Sequence, residues 1–344
     1  MSKWYENIGT DNTPIISSRV RLARNLADYP FAMFLSDGIA DKMITEVVET
    51  IKTRPEYCDY SYLNVNEATA FDKRAFLERH AISGYMFESE RRTGLLSSLD
   101  ESAGIMLNEE DHIRIQCLSP GDGVDEAYKK ADAIDDTLEN TLKYAFDGDY
   151  GYLTSCPTNA GTGLRVSYMT HLPFLESSNQ LKSLITSISK FGMTVRGIYG
   201  EGSESLGSIY QISNQVTLGK SEEEIILSLR NITRQVIERE INMLEKTLAH
   251  DRASFEDNVY RSYGVLSNCR KISAKEAMTL LSNVRLGFMS GVLKVKKPPL
   301  SIYNVVINIQ PASLIKNSGR ELADNETRDV FRAQYIRNVF SEEG

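Results

Sequence analysis

The sequence has few cysteines and no long apolar run, and each shortage excludes a class of protein. Four cysteines in 344 residues are too sparse for a disulfide framework, and no two of them have Cys-x-x-Cys spacing. Residues 1–11 are polar and of mixed charge, without the apolar centre of a secretory signal. The longest uncharged run, 298–315, contains three prolines and several polar amides, which is too polar for a membrane span. We therefore expect a protein of the reducing cytoplasm.

The common catalytic motifs are also missing. The sequence has no P-loop, no glycine-rich dinucleotide fingerprint, no catalytic motif of ordinary protein kinases, no zinc-protease helix motif and no nucleophile elbow. The four histidines are scattered, without the spacing of metal ligands. Together these absences weigh against P-loop NTPases, Rossmann dehydrogenases, ordinary protein kinases, zincins and α/β hydrolases.

Charge and composition describe an acidic globular protein. The chain has 39 Lys and Arg against 47 Asp and Glu, which gives a net charge of −8 and a pI near 5.3. This balance argues weakly against general binding to nucleic acid or anionic membranes, although clustered arginines leave room for a local anion site. Hydrophobic residues at 41% and charged residues at 25% are close to globular averages, so long disorder is not expected. The length suits about two domains.

Hydrophobic periodicity predicts an α+β fold with a mainly antiparallel sheet flanked by helices. Apolar residues recur at helical spacing over 44–51 and 181–188, and a long helical stretch runs from Ser221 to about Leu248. Ser221 and Glu224 form a capping-box pattern at the start of that stretch. The other signals are short strand-like runs separated by turns. They comprise Ser61–Val65, Thr93–Leu99, Ile105–Leu107, His112–Leu118, Tyr150–Ser155, Thr194–Tyr199 and Ser208–Leu218.

The pattern of predicted elements changes near residue 250, from strands mixed with helices to helices alone. Beyond it three segments look helical, namely Asp251–Asn268, Ser273–Phe288 and Asn317–Phe340, with a basic, proline-containing break at Lys294–Pro299. All the residues that look catalytic come before this point. We therefore predict a catalytic domain over residues 1–250 and a small helical domain over residues 251–344.

Five arginines stand in contexts that suit ligand binding. Arg19 and Arg21 form Arg-x-Arg, and alternate residues of a strand share a face. Arg114 follows an acidic turn, whereas Arg165 and Arg196 adjoin glycines, where a ligand can approach the backbone closely. The planar guanidinium forms bidentate bonds with phosphate and keeps its charge. Taken singly, each arginine is better explained as a solvated or salt-bridged surface group.

The ordered set, in contrast, matches a family pattern. Four strings follow one another: SSRVRLARN at 17–25, NEEDHIRIQ at 108–116, SCPTNAGTGLR at 155–165 and RGIYGEGSES at 196–205. They resemble strings of the phosphagen (guanidino) kinases, which include creatine kinase and arginine kinase. The resemblance extends from about residue 14 to residue 250, and the second and third strings are long and unusual enough to make it specific.

Two departures narrow this resemblance. Phosphagen kinases carry a helical domain before the Arg-x-Arg strand, whereas here that string begins at Arg19, so we expect the domain to be absent. The chain instead has a helical extension after residue 250, which contains the string RDVFRA at 328–333. This combination resembles the bacterial protein arginine kinases, which phosphorylate arginine side chains of proteins and mark them for the Clp protease system. The resemblance then covers nearly the whole chain.

The resemblance implies a role for each matching residue. Arg19, Arg21, Arg114, Arg165 and Arg196 would hold the phosphates of ATP, and the last three would also be catalytic. Glu110 would be the catalytic base, and Glu201 would be the second carboxylate that holds the guanidinium. The nucleotide pocket would further include Ser18, Val20, Leu22, His80, Val166, Ser167, Tyr168, Met169, Gly197, Ile198, Tyr199 and Gly200. Plainer alternatives stay open, with His80 as a core histidine and the glutamates as solvated turn residues.

Cys156 matches the reactive cysteine of that family. It precedes a proline in a glycine-containing loop, and nearby arginines would favour its thiolate form. The alternative is a small buried thiol, which is how free cysteines usually occur. The residues do not decide between the two, so we treat Cys156 as a candidate reactive thiol only.

The chemistry of a guanidino kinase suits these residue types. A guanidinium arrives protonated and is a poor nucleophile. Two carboxylates can hold it, align one nitrogen with the γ-phosphorus of ATP and accept its proton. The phosphoryl charge needs fixed cations, which arginines supply together with Mg²⁺. No acidic metal cage is evident, so we expect Mg²⁺ to arrive with ATP, held mainly by phosphates and water rather than by protein ligands.

The string Arg328–Ala333 is a candidate for a second ligand site. If it is helical, Arg328 and Arg332 lie one turn apart on one face, beside Asp329. Two arginines bind a phosphate and a carboxylate holds a guanidinium. The resemblance thus implies an allosteric phosphoarginine site made of Arg328, Asp329, Val330, Phe331, Arg332 and Ala333. On spacing alone, a solvated helix face with mixed charges is the better explanation.

The sequence therefore favours an ATP-dependent protein arginine kinase that acts in protein degradation and the stress response. Two alternatives stay open: a small-molecule guanidino kinase acting on free arginine or a similar metabolite, and a catalytically silent phosphoarginine reader or adaptor. The resemblance implies as partners protein substrates that present arginine, an activator protein, the Clp protease and repressor system, and a second copy of the chain contacted through the C-terminal helices. Nucleic acid and membrane are not expected as direct partners.

Overall fold

The computed structural model describes residues 2–6, 12–199, 205–295, 301–319 and 324–340. The strands in this part of the chain are β1 (Ile15–Arg24), β2 (Ser61–Asn64), β3 (Gly94–Ser97), β4 (Ala103–Leu107), β5 (Ile113–Pro120), β6 (Phe146–Asp147), β7 (Gly151–Tyr152), β8 (Leu164–His171), β9 (Met193–Tyr199) and β10 (Ser205–Asn214). The helices are α1 (Asp37–Lys52), α2 (Ala70–Glu78), α3 (Gly84–Glu88), α4 (Val124–Glu139), α5 (Pro173–Ser177), α6 (Leu181–Ser189), α7 (Glu222–His250), α8 (Arg252–Asn268), α9 (Ala274–Met289), α10 (Ile302–Asn308), α11 (Pro311–Ser318) and α12 (Asn325–Phe340).

Eight of these strands form one sheet in the order β2-β3-β4-β5-β1-β8-β10-β9, and β6 pairs with β7 separately. From β2 to β5 the neighbours are antiparallel, with Leu95 opposite Met106 and Ile105 opposite Ile115. Helices α1 to α6 occur between the strands along the chain, and the described C-terminal region beyond residue 250 is helical. The predicted α+β fold, with a mainly antiparallel sheet, flanking helices and a C-terminal helical region, is confirmed.

β1 carries the Arg-x-Arg string and alternates between an apolar and a cationic face. Val20 and Leu22 are 0% and 1% exposed, whereas Arg19 and Arg21 are half-buried. Successive side chains of a strand point to opposite faces of the sheet, so the two arginines share the face opposite the apolar pair. A slip of one residue would put the guanidinium groups into the core, and this fixes the register of the strand.

Residue contacts divide the chain into two compact units. The first comprises Met1–Trp4, Ser18–Ser167 and Ser213–Arg230, and the second comprises Tyr5–Ser17, Tyr168–Ile212 and Asn231–Gly344. The domain boundary that the sequence suggested near residue 250 is a separate matter and stays a prediction.

In the first unit, α4 packs against α1 and β5. α1 buries Met43 and Val47 on one face, and α4 buries Ile134 and Leu138. The hydrophobic periodicity did not predict α4, because half of its 16 residues are charged and mask the apolar stripe at helical spacing.

In the second unit, α8 and α9 pack closely. A Cβ at Gly287 of α9 would lie 2.4 Å from Val259 Cγ1 of α8, so the approach of the two helices depends on glycine at this position. Val259, Leu281 and Val284 are buried between them and their neighbours. α12 packs against α8 and α11. None of the helices that the structure describes is both long and apolar enough to cross a membrane.

Other elements besides α4 also differ from the sequence predictions, which contained no helix at α2, α3, α5 or α10. β8 lies where no strand was predicted, and its polar residues Ser167, Thr170 and His171 are buried, so polarity does not mark an exposed face of this strand. The strand expected over Tyr150–Ser155 is reduced to the two residues of β7. A single helix over Asn317–Phe340 is wrong: α11 ends before Gly319, whose φ is 61°, and α12 begins at Asn325. The predicted break at Lys294–Pro299 lies largely outside the described residues.

Candidate active site

The acidic turn between β4 and β5 is held by hydrogen bonds on both sides. Asn108 opens it in a left-handed conformation, with φ of 55°, and its N–H donates to His112 O at 2.8 Å. Asp111 Oδ1 accepts from Asn25 Nδ2 at 2.7 Å and from Ser155 N at 2.6 Å. The turn is thus fixed to the residue after β1 and to the loop before β8, which gives its glutamates defined positions.

Two adjacent glutamates of this turn share one arginine. Glu109 is 0% exposed and accepts from Arg114 Nη1 at 2.7 Å, from Glu110 N at 2.8 Å and from Ser83 Oγ. Glu110 has a side chain that is 33% exposed, and its Oε2 accepts from Arg114 Nη2 at 2.7 Å. The sequence pattern gave no role to Glu109, although it stands beside Glu110 in the same string.

Four arginines of the first unit form a cationic cluster. Burial lowers the pKa of Arg21 well below its usual value, and the charges of Arg19, Arg114 and Arg165 lower it further. Arg21 Nε is buried, and no described residue accepts a hydrogen bond from it. Guanidinium groups that repel one another, with a buried donor unused, make a site that suits a multiply charged anion.

A cavity of about 200 Å³ opens beside this cluster. Its described lining consists of Arg21, Ala23, Glu110, Arg114, Cys156, Thr158, Asn159, Gly163 and Arg165. Five residues predicted to be functional therefore meet here: three arginines, the proposed base and the candidate thiol. Cations that can hold phosphates beside a carboxylate that can take a proton are what phosphoryl transfer to a guanidinium requires.

Two glycines bring the loop 156–163 to this cavity. Gly161 and Gly163 have φ of 101° and 64°, in the region that favours glycine. A Cβ at Gly163 would lie 2.6 Å from Ala23 O, and one at Gly161 would lie 2.8 Å from Leu218 Cα. Any side chain at either position would therefore push the loop away from its neighbours.

Arg24, the last residue of β1, is 1% exposed and has a structural role. Its Nε and Nη2 donate to Asp135 Oδ2 at 3.0 and 2.6 Å, and its Nη1 donates to Thr162 O at 2.9 Å. The guanidinium carbon lies 3.6 Å from the centroid of the Tyr152 ring. Arg24 thus ties the cavity loop to α4. The local sequence around Arg24 does not predict this role, because its partner Asp135 is 111 residues away.

His80 adjoins the arginine cluster and has φ of 62°. Burial, and then the charge of Arg19, lower its pKa to about 3, so the imidazole is neutral at physiological pH. Its peptide oxygen accepts from Gln116 Nε2 at 2.7 Å. Contact between His80 and a nucleotide stays a prediction, and it would involve a neutral ring.

The other predicted nucleotide residues are spread over both units. The side chains of Ser18, Val20, Leu22, Val166 and Ser167 in the first unit, and of Tyr168 and Met169 in the second, are buried, so a ligand would meet their backbone. On β9, Arg196 is exposed while Gly197 and Ile198 are half-buried. Gly200, Glu201 and the side chain of Tyr199 lie outside the described residues. The roles of all these residues stay predictions.

The C-terminal string lies on α12. Arg332 is 2% exposed, and its Nη1 donates to Ile272 O at 3.0 Å and to Asp329 Oδ1 at 2.5 Å. Its Nε donates to Ile309 O at 3.1 Å. Arg332 therefore anchors α12 to Ile272, just before α9, and to Ile309, just after α10. The residue spacing did not predict this structural role. Arg328 and Asp329 are half-buried. A phosphoarginine site over Arg328–Ala333 stays a prediction.

Two family models match the chain. The model described as ATP:guanido phosphotransferase, C-terminal catalytic domain, matches residues 41–243. The chain belongs to the ATP:guanido phosphotransferase family. A second model, described as Protein-arginine kinase McsB C-terminal domain, matches residues 252–343. The prediction of a guanidino phosphotransferase is thereby confirmed.

Curated relatives of this ATP:guanido phosphotransferase resemble it over nearly its full length. The protein-arginine kinase of Bacillus subtilis (strain 168) is 44% identical over 98% of this chain and 93% of that protein. The protein-arginine kinase of Brevibacillus brevis is 42% identical over 98% of this chain and 94% of that protein. Within its family the chain therefore belongs with the protein-arginine kinases.

Solved structures of more distant proteins share the fold. Lombricine kinase has a TM-score of 0.57 and 21% identity, with 66% of each chain covered. The duplicated taurocyamine kinase from Schistosoma mansoni, with bound transition state analog components, has a TM-score of 0.61 and 24% identity. That comparison covers 76% of this chain and 38% of the taurocyamine kinase. At such identities the likeness concerns the fold alone.

Proposed function

We propose that this ATP:guanido phosphotransferase transfers the γ-phosphoryl group of ATP to arginine side chains of proteins. The observation that carries the proposal is the cavity in which Arg21, Arg114 and Arg165 surround Glu110. The choice of proteins as substrates is supported by similarity, over 98% of the chain, to proteins named protein-arginine kinase.

In the proposed reaction a guanidinium nitrogen of the substrate attacks the γ-phosphorus. The P–N bond forms while the bond from the γ-phosphorus to the bridging oxygen of ADP breaks, and the guanidinium proton passes to Glu110. Arg21, Arg114 and Arg165 stabilise the charge of the transferring group. Further phosphate contacts from Arg196, and Glu201 as the second carboxylate, belong to the proposal on the strength of the family resemblance.

Arg114 links nucleotide binding with the base. Its Nη2 holds Glu110 at 2.7 Å, so that carboxylate oxygen is already occupied as an acceptor. A bound phosphate competes for the same guanidinium, which makes Glu110 available to the substrate. The bond from Arg114 Nη1 to buried Glu109 keeps the arginine in place during this exchange.

ATP is expected to bind together with Mg²⁺. In the part of the chain that the structure describes, no group of three or more His, Cys, Asp or Glu side chains could hold a metal ion. The donors around the cavity are mostly guanidinium groups, which fit phosphates. Mg²⁺ held by phosphate oxygens and water would neutralise part of the charge on the β- and γ-phosphates.

Parallel incubations test the proposal. The purified protein receives Mg²⁺ and ATP labelled on the γ-phosphorus, together with an arginine-containing protein or with free arginine. We expect label on the protein substrate in an acid-labile P–N bond, much less label on free arginine, and neither with the Glu110→Gln variant.

Each alternative has its own outcome in this experiment. Transfer to free arginine only would identify a small-molecule guanidino kinase. No transfer, together with binding of a phosphoarginine peptide, would identify a silent reader or adaptor. Label that survives acid and maps to serine or threonine would contradict phosphorylation of arginine.

We further propose a cellular role for the reaction. Proteins phosphorylated on arginine would be marked for the Clp protease system during stress, with the help of an activator protein. The match of residues 252–343 to the McsB C-terminal domain supports this role, an allosteric phosphoarginine site at Arg328–Ala333, and a homodimer formed through the C-terminal helices. The four cysteines are unpaired, which fits the cytoplasm. Sedimentation of the full chain at several concentrations tests the dimer.

A further inference from the structure

The first unit, which contains the cavity, also contains a short hairpin with exposed aromatic side chains. Its strands β6 and β7 pair with Phe146 opposite Tyr152, and Tyr150 lies in the turn that joins them. Phe146 and Tyr150 are each 60% exposed, although rings of this size contribute most to stability when they are buried. The phosphoryl transfer described above makes no use of either residue.

One set of hydrogen bonds ties this hairpin to the acidic turn that carries Glu110. Ala145 N, just before β6, donates to Asn25 O at 2.7 Å, and Asn25 Nδ2 donates to Leu153 O, just after β7, at 3.0 Å. The same Nδ2 donates to Asp111 Oδ1, the residue after Glu110. Asn25 thus joins both ends of the hairpin to the turn of the proposed base.

A second connection ties the hairpin to the loop 156–163, which lines the cavity. Tyr152 N donates to Gly161 O at 2.8 Å. Gly151 has φ of 69°, and a Cβ there would lie 2.5 Å from Gly161 O, so the close approach of hairpin and loop depends on glycine. Because the hairpin is bonded both to this loop and to the turn of Glu110, its aromatic residues belong to the surroundings of the cavity.

The hairpin is held firmly despite its small size. A two-stranded hairpin alone is marginally stable in water, so it depends on such anchors. The Phe146 ring meets the Tyr152 ring nearly edge-on, with centroids 5.2 Å apart and planes at 75°. The guanidinium carbon of buried Arg24 lies 3.6 Å from the centroid of the Tyr152 ring. A surface fixed in this way loses little conformational entropy when a ligand binds to it.

The turn of the hairpin uses part of its own polar capacity. Asp147 Oδ1 accepts from Asp149 N at 2.9 Å and from Tyr150 N at 3.1 Å. That oxygen is therefore engaged within the turn, whereas the rings of Phe146 and Tyr150 are largely open to solvent. Neighbouring exposed apolar side chains mark interaction surfaces, and aromatic residues are enriched where proteins meet.

We propose that Phe146 and Tyr150 bind an apolar side chain of the protein substrate, one that lies close in sequence to the arginine being phosphorylated. The inference rests on the proposed function and adds a preference among substrates. An arginine within a polypeptide brings its neighbours to the rim of the cavity, and an extended chain advances about 3.3 Å per residue, so residues within about three positions come near the hairpin. Free arginine has no such neighbours and gains nothing from this surface.

A series of peptides tests the proposal on the full chain with Mg²⁺ and ATP. The reference peptide has one arginine flanked by serines, and each further peptide replaces one serine with leucine, at one of the three positions on either side. Burial of a leucine side chain is favourable enough to raise kcat/KM by about tenfold. We expect the wild-type protein to show this preference for leucine at one or more of these positions.

Variants of the hairpin locate the preference. The double variant Phe146→Ser, Tyr150→Ser should lower it to about twofold or less, with kcat/KM for the serine peptide and KM for ATP unchanged. Phe146→Leu should keep the preference, because leucine restores an apolar surface without an aromatic face. Phe71→Ser is the matched control, since Phe71 of α2 is 59% exposed in the same unit and should have no effect.

The possible outcomes separate this inference from the proposed function. Equal kcat/KM for all peptides in the wild type, or a leucine preference that survives the double variant, would overturn the inference and leave arginine phosphorylation intact. A greater gain from lysine than from leucine at the same position would contradict an apolar occupant. A raised KM for ATP in the double variant, with the leucine preference intact, would assign the rings to the nucleotide instead. Transfer to free arginine but to no peptide would overturn the proposed function and the inference with it.

Discussion

At the scale of single residues, the site depends on how charge is shared around Arg114. Its guanidinium bridges Glu109, which is fully buried, and Glu110, which is partly exposed at the cavity. The buried pair is fixed by further bonds from Ser83 and from the peptide of Glu110. The exposed pair has fewer constraints, so it is the one that a phosphate can replace. We therefore expect each of these side chains to have a separable role in the proposed reaction.

Glu110→Gln isolates the transfer of the proton. Glutamine keeps the shape of the side chain but cannot accept the guanidinium proton, so we expect kcat to fall by about 100-fold or more. Affinity for ATP, measured by calorimetry, should change little, because the arginines remain. Glu126→Gln, at an exposed position of α4, is the matched control and should behave as wild type. Near-normal turnover in Glu110→Gln would remove this residue from the mechanism.

Arg21→Lys and Arg165→Lys isolate the geometry of phosphate binding. Lysine keeps the positive charge but offers a point charge in place of the planar fork, so kcat/KM for ATP should fall by about tenfold or more in each variant. Arg252→Lys, whose side chain is 64% exposed on α8, serves as the control. Wild-type kcat/KM for ATP in both cavity variants would show that these arginines do not hold phosphate.

At the scale of secondary-structure elements, the sequence predicted the strands and helices whose local hydrophobic pattern agrees with their burial in the fold. β1 was readable through alternation of Arg19 and Arg21 with apolar neighbours, and the helical pattern predicted α1, α6, α7, α8 and α9. β8 was not predicted, and in this strand polar residues such as Ser167 and Thr170 are buried, so polarity and burial do not agree. The segment predicted over Asn317–Phe340 contains all of α12 but begins too early, at the end of α11 before Gly319.

α12 also provides a test at this scale. Arg332 is buried and donates to the carbonyls of Ile272 and Ile309, so Arg332→Ala leaves two acceptors unsatisfied. We expect a loss of about 2–4 kcal/mol of stability, seen as a lower Tm. Arg328→Ala, at a half-buried position of the same helix, should cost about 1 kcal/mol or less. An equal decrease in Tm in the two variants would contradict a structural role for Arg332.

At the scale of the whole molecule, the family and its chemistry could be predicted because the relevant strings are contiguous and long. The features that could not be predicted join residues far apart in the chain. The bond of Arg24 to Asp135 spans 111 residues, and the bond of Phe174 N to Glu240 spans 66. A cavity of about 510 Å³ in the second unit is lined by side chains from α5, β10, α8 and α9. Such long-range bonds and cavities arise from tertiary packing, which local sequence patterns do not encode.

Three histidines with lowered pKa values make the free energy of unfolding depend on pH. Burial lowers the pKa of His80, His112 and His171 from the usual 6.5, to about 3 for His80. Below pH 6.5 the unfolded chain binds protons that the folded chain does not. Their contribution to stability is therefore fully present above pH 6.5 and is lost as the pH falls towards the folded pKa values. These groups act together, so a variant of any one histidine is less informative than a variant of a single buried group whose pKa is shifted in the opposite direction.

Glu240 is that group. Burial raises its pKa from 4.5 to about 7, so between these values the folded chain binds a proton that the unfolded chain does not. Its contribution to stability is fully present below pH 4.5 and is lost as the pH rises through about 7. Glu240→Gln can still accept a backbone bond at the start of α5 but does not ionise. Relative to this variant, the wild-type free energy of unfolding should fall by up to about 3 kcal/mol between pH 4.5 and pH 8, as measured by urea unfolding. Glu238→Gln, exposed on the same helix, should show no such change, and a difference for Glu240→Gln that is the same at both pH values would contradict the assignment.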